Sequence, residues 1–208
     1  MIIPEPVHLG CDDFAFELLG VNCLWHGHRQ AGHPHHATSP AGLGGDVAIV
    51  SVHWGSNWGY AIAPSEVTFA HRLIDAGIDI VHGHSSHHPR PIEIYRGKPI
   101  LYGCGDVIDD YEGIGGHESF RGDVRLLYLT CTEPAGGELI SLRMIPVRLR
   151  RMRLERASQT DAEWLRTTIE HTSRRFGTRV AARRDDLLEV VSVHTDPHPR
   201  RIQAGVGC

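Results

Sequence analysis

Residues 47–53 read Val-Ala-Ile-Val-Ser-Val-His, and residues 78–88 read Ile-Asp-Ile-Val-His-Gly-His-Ser-Ser-His-His. Each stretch is an apolar run that ends in histidine. Val47–Val52 is nearly continuous in apolar residues, as a strand buried on both faces would be, and Ile78–Val81 reads the same way. Between them Pro64 to Ala76 has the grammar of a helix. Pro64 suits the first turn, Glu66 complements the helix dipole, and Gly77 is placed to cap the C-terminus. Phe69 with Leu73, and Ala70 with Ile74, form an apolar stripe at i,i+4 spacing. Strand, helix, strand predicts a βαβ unit with parallel strands and a right-handed crossover.

The same stretch carries the chemistry. Ligands of open parallel sheets bind beyond the carboxyl ends of the strands. His53, His82, His84, His87 and His88 all fall there. Neighbouring strands lie about 5 Å apart, so imidazoles from two strand ends could reach one cation at about 2.1 Å. Gly55, Gly59 and Gly83 allow the tight turns that would aim them. Bland readings compete. A lone strand-end histidine is usually structural. His82 also reads as a core histidine, because strand alternation turns it away from Val81. His71 reads as surface. His117, His171, His194 and His198 have no partner pattern.

Downstream, IEIY-RGK-PILY reads as a hairpin turning at Gly97. GCGDVIDDYEG, residues 103–113, follows it and sets Asp106, Asp109 and Asp110 beyond a strand end. A carboxylate there could ligate a metal, orient a ligand histidine or act as general base. The alternative is an acidic turn. Val124–Thr130 and Leu139–Leu149 read as strands, the second of which Pro146 could break. Thr160-Asp-Ala-Glu163 is a capping-box pattern opening a helix to Phe176. Trp164, Leu165, Ile169 and Phe176 form its apolar side, and Gly177 ends it. Leu187–Val193 reads as a last strand. No internal repeat is present.

The bulk numbers bound the rest. A chain of 208 residues with 41% hydrophobic and 22% charged residues fits one globular domain. A net charge of −4 gives no global pull toward nucleic acid or anionic membrane. Arginines stand at 148, 150, 151, 153 and 156; Arg148 and Arg150 with the alternating Val147, Leu149 and Met152 read as a strand with one solvated face. No aromatic stacking platform accompanies them, so no nucleic-acid partner is expected. Five cysteines, none in a CxxC pair, do not form a disulfide framework or zinc ribbon. Sixteen histidines are the compositional outlier. His26, His28, His33, His35 and His36 lie in a loop-like, glycine-rich stretch that reads as exposed or as an adventitious metal binder. Phe14 to Leu19 could start a short helix or strand. No apolar run is long enough to span a membrane. The N-terminus lacks the charge and apolar pattern of a signal peptide, so a cytoplasmic location is the default expectation. A missing N-terminal segment would make the protein envelope-associated.

The segment VSVHWGSNWGYAIAPSEVTFAHRLIDAGIDIVHGHSSHHPRPIEIYRGKPILYGCGDVIDDYEG resembles the CapA family, named for capsule and poly-γ-glutamate synthesis, of the metallophosphoesterase-like superfamily. The resemblance is strong from Asp46 to about Glu112 and continues more weakly to about Val180. The HWG element, the AHRLIDAG helix, the glycine–histidine loop and the hairpin occur in the family's order. The resemblance implies an α/β fold, a metallophosphoesterase-like αββα sandwich with a divalent-metal site (Mn, Fe, Zn or Mg) at the strand ends. His53 matches the histidine of the HWG motif. The family's next loop usually reads glycine, any residue, His-Pro-His. Here His87 matches the second histidine, Ser85 stands where the first is usual, and His84 could substitute. Asp106 stands where asparagine is common. The implied set is therefore His53, His84 and His87 as metal ligands, with His84 and Asp106 in catalysis.

The family also carries a Gly-Asp motif after its first strand and an Asn-His motif later, and neither occurs in residues 1–45. The expectation is an atypical, loop-rich segment at 1–45, the C-terminal part of a CapA-like domain at 46–193 and a tail at 194–208. The resemblance implies metal-dependent hydrolysis of an ester, with an anionic polymer or phosphoester as substrate. The alternatives are a non-catalytic assembly or export factor and an inactive truncated remnant.

Overall fold

The computed structural model describes residues 47–108, 114–133 and 136–192, together with the backbone of two strands at 14–18 and 21–26. The loop histidines from His28 to His36, Asp109, Asp110 and the tail from 194 lie outside the described residues.

Among the described residues, two sheets and two α-helices make an α/β fold. The first sheet has the order β1-β2-β3-β4-β6-β5. It is built from β1 Phe14–Leu18, β2 Val21–His26, β3 Ile49–His53, β4 Ile80–His84, β5 Ile92–Tyr95 and β6 Lys98–Leu101. The segment before residue 46, expected to be loop-rich, thus adds two antiparallel strands. The βαβ expectation holds: β3 pairs β4 in parallel, and β4 pairs β6 in parallel. Both early strands sit slightly later in the chain than the apolar runs suggest, so His53 and His84 close them rather than follow them.

Helix α1, Pro64–Asp75, makes the crossover. The Glu66 carboxylate accepts from the Ala63 N–H at its start. At its end Gly77, at φ 101, donates to Ile74 O, and Ile78 donates to Leu73 O. That is the Schellman pattern, which needs the left-handed glycine. Ala70 and Ile74 pack on Val50, Val52, Val81, Ile100 and Tyr102, so α1 covers one face of this sheet. The β5–β6 hairpin turns at Arg96 and Gly97, both at positive φ, as a two-residue type I′ turn requires.

The second sheet has the order β10-β11-β8-β7, with β9 also paired to β8. Its strands are β7 Val124–Thr132, β8 Leu139–Arg150, β9 Arg153–Arg156, β10 Thr178–Ala182 and β11 Leu188–Ser192. Pro146 does not break β8. Its carbonyl accepts from the Ala157 N–H, so its nitrogen faces the side where β8 changes partner from β11 to β9. A missing N–H costs no ladder bond there. Met152 sits in the β8–β9 turn rather than in a strand. Helix α2, Gln159–Ser173, starts two residues earlier than the capping-box reading placed it. Its cap is Ser158, whose hydroxyl accepts from the Asp161 N–H, while Thr160 lies inside the first turn. Leu165 and Ile169 of α2 share a core with Leu126, Leu142, Met144 and Leu188, and with Ile92 and Leu101 from the first sheet. No helix among the described residues is long and apolar enough to cross a membrane.

Candidate functional site at the strand ends

Parallel pairing sets Ser51 opposite His82 and His53 opposite His84. Side chains two apart on a strand share a face. Ser51, His53, His82 and His84 therefore stand together on the face that α1 does not cover. The His53 and His84 rings meet edge to face, with centroids 5.1 Å apart. The His82 and His84 rings lie 5.9 Å apart. One hydroxyl holds both of the latter: Ser51 Oγ is 3.0 Å from His82 Nδ1 and 3.2 Å from His84 Nδ1. Burial lowers the pKa of His82. Burial also lowers that of His84, and the neighbouring His82 and His53 lower it further. Both rings are thereby kept neutral, the form that offers a lone pair.

His87 goes elsewhere. Its Nδ1 is 2.9 Å from Asp106 Oδ2, on the loop after β6. A carboxylate on Nδ1 fixes the tautomer and leaves the lone pair on Nε2. The loop between His84 and His87 carries backbone strain: Ser85 adopts φ 109, a region glycine favours.

His88 is structural. The Gly59 N–H donates to its Nε2, so its proton sits on Nδ1 and points at Pro89 O. Both nitrogens are used within the fold, and burial pushes the imidazole down to about 4. The ring packs against Tyr60 and Phe120. Trp58 lies against His87 and stacks on His117, 4.1 Å away and nearly parallel. Arg90, 2% exposed, sits below the same loop. It donates to Ala61 O and lies 3.8 Å from Glu66. These contacts tie the segment after the HWG motif to the loop after β4.

His71 is not a free surface residue, since its Nε2 is 2.9 Å from Glu93 Oε1. The sequence readings also missed Ser51 and the Trp58–His117 stack. Ser51 was within reach of sequence, because it lies two positions before His53 on one strand. The stack was not, because those rings lie 59 positions apart in the chain and meet only through the fold.

The donors gather as pairs. Among the described residues no three histidine, cysteine, aspartate or glutamate side chains come together as a metal ion would need. His53 with His84, and His87 oriented by Asp106, are donor types that suit a divalent cation. A complete coordination set would draw on residues beyond those described.

Residues 33–111 match the family model of bacterial capsule synthesis protein PGA_cap. Over 147 residues the chain is 80% identical to a probable polyglutamine synthesis accessory protein of Mycobacterium tuberculosis H37Rv, covering 71% of this chain and 39% of that protein. It is 35% identical over 65 residues to the PGA biosynthesis protein CapA of Bacillus subtilis, covering 31% of this chain and 17% of that one. It is 30% identical over 74 residues to the capsule biosynthesis protein CapA of Bacillus anthracis, covering 36% and 18% respectively. The chain thus spans 39% or less of the length of these relatives.

Proposed function

The chain belongs to the PGA_cap family of bacterial capsule synthesis proteins, and we propose that it serves the making of a capsule or poly-glutamate polymer through a metal-dependent, ester-cleaving site at the strand ends. The fold reading that accompanies this is part of a metallophosphoesterase-type αββα sandwich. It is supported by α1 on the outer face of the first sheet and by a core shared between that sheet, the second sheet and α2.

One observation carries the site. His53 and His84 present their rings to each other from the ends of two parallel strands, where such sheets bind ligands. His53 and His84 supply two nitrogen donors. His87, turned by Asp106, is the third candidate. A divalent cation held there would polarise the ester oxygen and supply hydroxide at neutral pH. The chain's own residues prepare for this. Ser51 fixes the His84 ring, Asp106 fixes His87, and burial keeps His82 and His84 unprotonated. Asp106 is a positioning residue acting through His87.

The test is hydrolysis of a generic phosphodiester and a phosphomonoester by the whole chain with added Mn²⁺. Turnover that disappears in His53→Ala, with the circular dichroism unchanged, supports the reading. Metal-saturated protein without turnover favours a non-catalytic role in polymer assembly.

A further inference from the structure

We infer that Ser51 is a tautomer-setting residue, which holds His82 and His84 in opposite protonation patterns so that His84 alone presents a bare Nε2. Ser51 Oγ lies within hydrogen-bond distance of both Nδ1 atoms, and among the described residues it makes no other side-chain bond. A neutral imidazole carries one proton, on one nitrogen or the other. A hydroxyl has one proton to give and two lone pairs.

Three arrangements exist. If both Nδ1 atoms are bare, the single hydroxyl proton satisfies one and leaves the other beside an oxygen lone pair. If both carry protons, both bond to the oxygen, and the hydroxyl proton has no acceptor. If one carries a proton and the other does not, every group is satisfied: one ring donates to Oγ, and Oγ–H donates to the other ring. The part-buried setting favours this third arrangement, because an unmet polar group is costly away from water. Well above the ordinary imidazole pKa a ring is neutral, and the choice between tautomers is the one left open.

The direction follows from position. His84 faces His53 at the strand ends, whereas His82 lies one pleat back, opposite Ser51. A ligand histidine donates its second ring N–H to a neighbouring acceptor. His84 Nδ1–H therefore donates to Ser51, and Ser51 donates to His82 Nδ1. His84 exposes a lone pair at Nε2, and His82 exposes an N–H. The assignment of the lone pair to His84 rests on the cation reading; the opposition of the two tautomers does not.

Nitrogen-15 spectra of the histidine side chains test this without metal or turnover. The whole chain would be labelled at histidine, freed of metal with chelator and held at pH 8. His82→Gln and His84→Gln would assign the two rings. The expected result is a protonated Nδ1 in His84 and a protonated Nε2 in His82. Ser51→Ala should return His84 to the Nε2-protonated form common in free histidine, and Ser51→Thr should keep the wild-type pattern. The same tautomer in both rings, or the reverse assignment, overturns the inference, and the wild-type spectrum suffices should Ser51→Ala fail to fold. Mn²⁺ titration of the same samples tests the metal reading separately, so failure of one does not imply failure of the other.

Discussion

His87 Nδ1 lies 2.9 Å from Asp106 Oδ2, although the two residues are 19 positions apart. The contact joins the loop after β4 to the loop after β6, whose strands are parallel neighbours. Its chemical effect is to place the His87 lone pair on Nε2.

Asp106→Ala should weaken divalent-metal affinity by about 10–100-fold, the usual effect of removing a carboxylate behind a ligand histidine. Calorimetric Mn²⁺ titration of the two proteins checks this. Equal affinities would show that Asp106 does not act through His87.

Gly83 lies between the two histidines of β4. A Cβ there would stand 2.4 Å from Trp54 Nε1 and 2.7 Å from the Leu101 and Tyr102 carbonyl oxygens. Two of those atoms are backbone and cannot swing away. Trp54 Nε1 also bonds Tyr102 O at 2.9 Å. Gly83→Ala should cost about 1–3 kcal/mol by overpacking, read by urea unfolding. A change within about 0.5 kcal/mol, the range of an ordinary surface substitution, would mean the strands separate more easily than this packing implies.

Tyr102 OH donates to Glu93 Oε2 at 2.6 Å, in a setting where both residues are buried. Tyr102→Phe leaves that carboxylate oxygen without its donor. The expected loss is about 1–3 kcal/mol. The double variant with Glu93→Gln should lose less than the sum of the two single changes. Simple additivity would argue against a shared network.

Asp161, in the first turn of α2, accepts from the Ser158 hydroxyl and pairs with Arg121 and Arg148. Burial alone would raise its pKa, but the Ser158 hydroxyl and the two guanidinium groups outweigh that and hold it below the usual value. A carboxyl depressed in the folded state contributes stability above its unfolded pKa and loses it as pH falls through the folded one. Stability should therefore decline as pH drops below about 4, and Asp161→Asn should remove that part of the slope. An unchanged slope in the variant would assign the acid sensitivity to other groups.

The βαβ unit was legible because local rules and tertiary structure agree there. The apolar runs, Pro64 at the helix start and Gly77 in its Schellman turn all serve the same geometry. The β5–β6 hairpin was legible for the same reason. Strand β10 and the short β9 were not, since their residues are ordered by pairing to β11 and β8 rather than by an apolar pattern of their own. The Ser158 cap was missed because Thr160 offers the same chemistry two positions later. At the site, the strand-end reading brought His53 and His84 to one edge of the sheet, where their rings meet. It could not show that His88 spends both ring nitrogens on backbone, or that His87 turns to Asp106. Those choices are made by loop conformation, which no local pattern encodes.

The central claim is that the His53 and His84 rings hold a divalent cation together. The most direct measurement is calorimetric titration of metal-free whole chain with Mn²⁺ and Zn²⁺, repeated on His53→Ala and His84→Ala. The account predicts saturable, stoichiometric binding in the wild type and at least about a tenfold loss in each variant, with circular dichroism unchanged. Absence of saturable binding in the wild type, or undiminished binding in both variants, would contradict it.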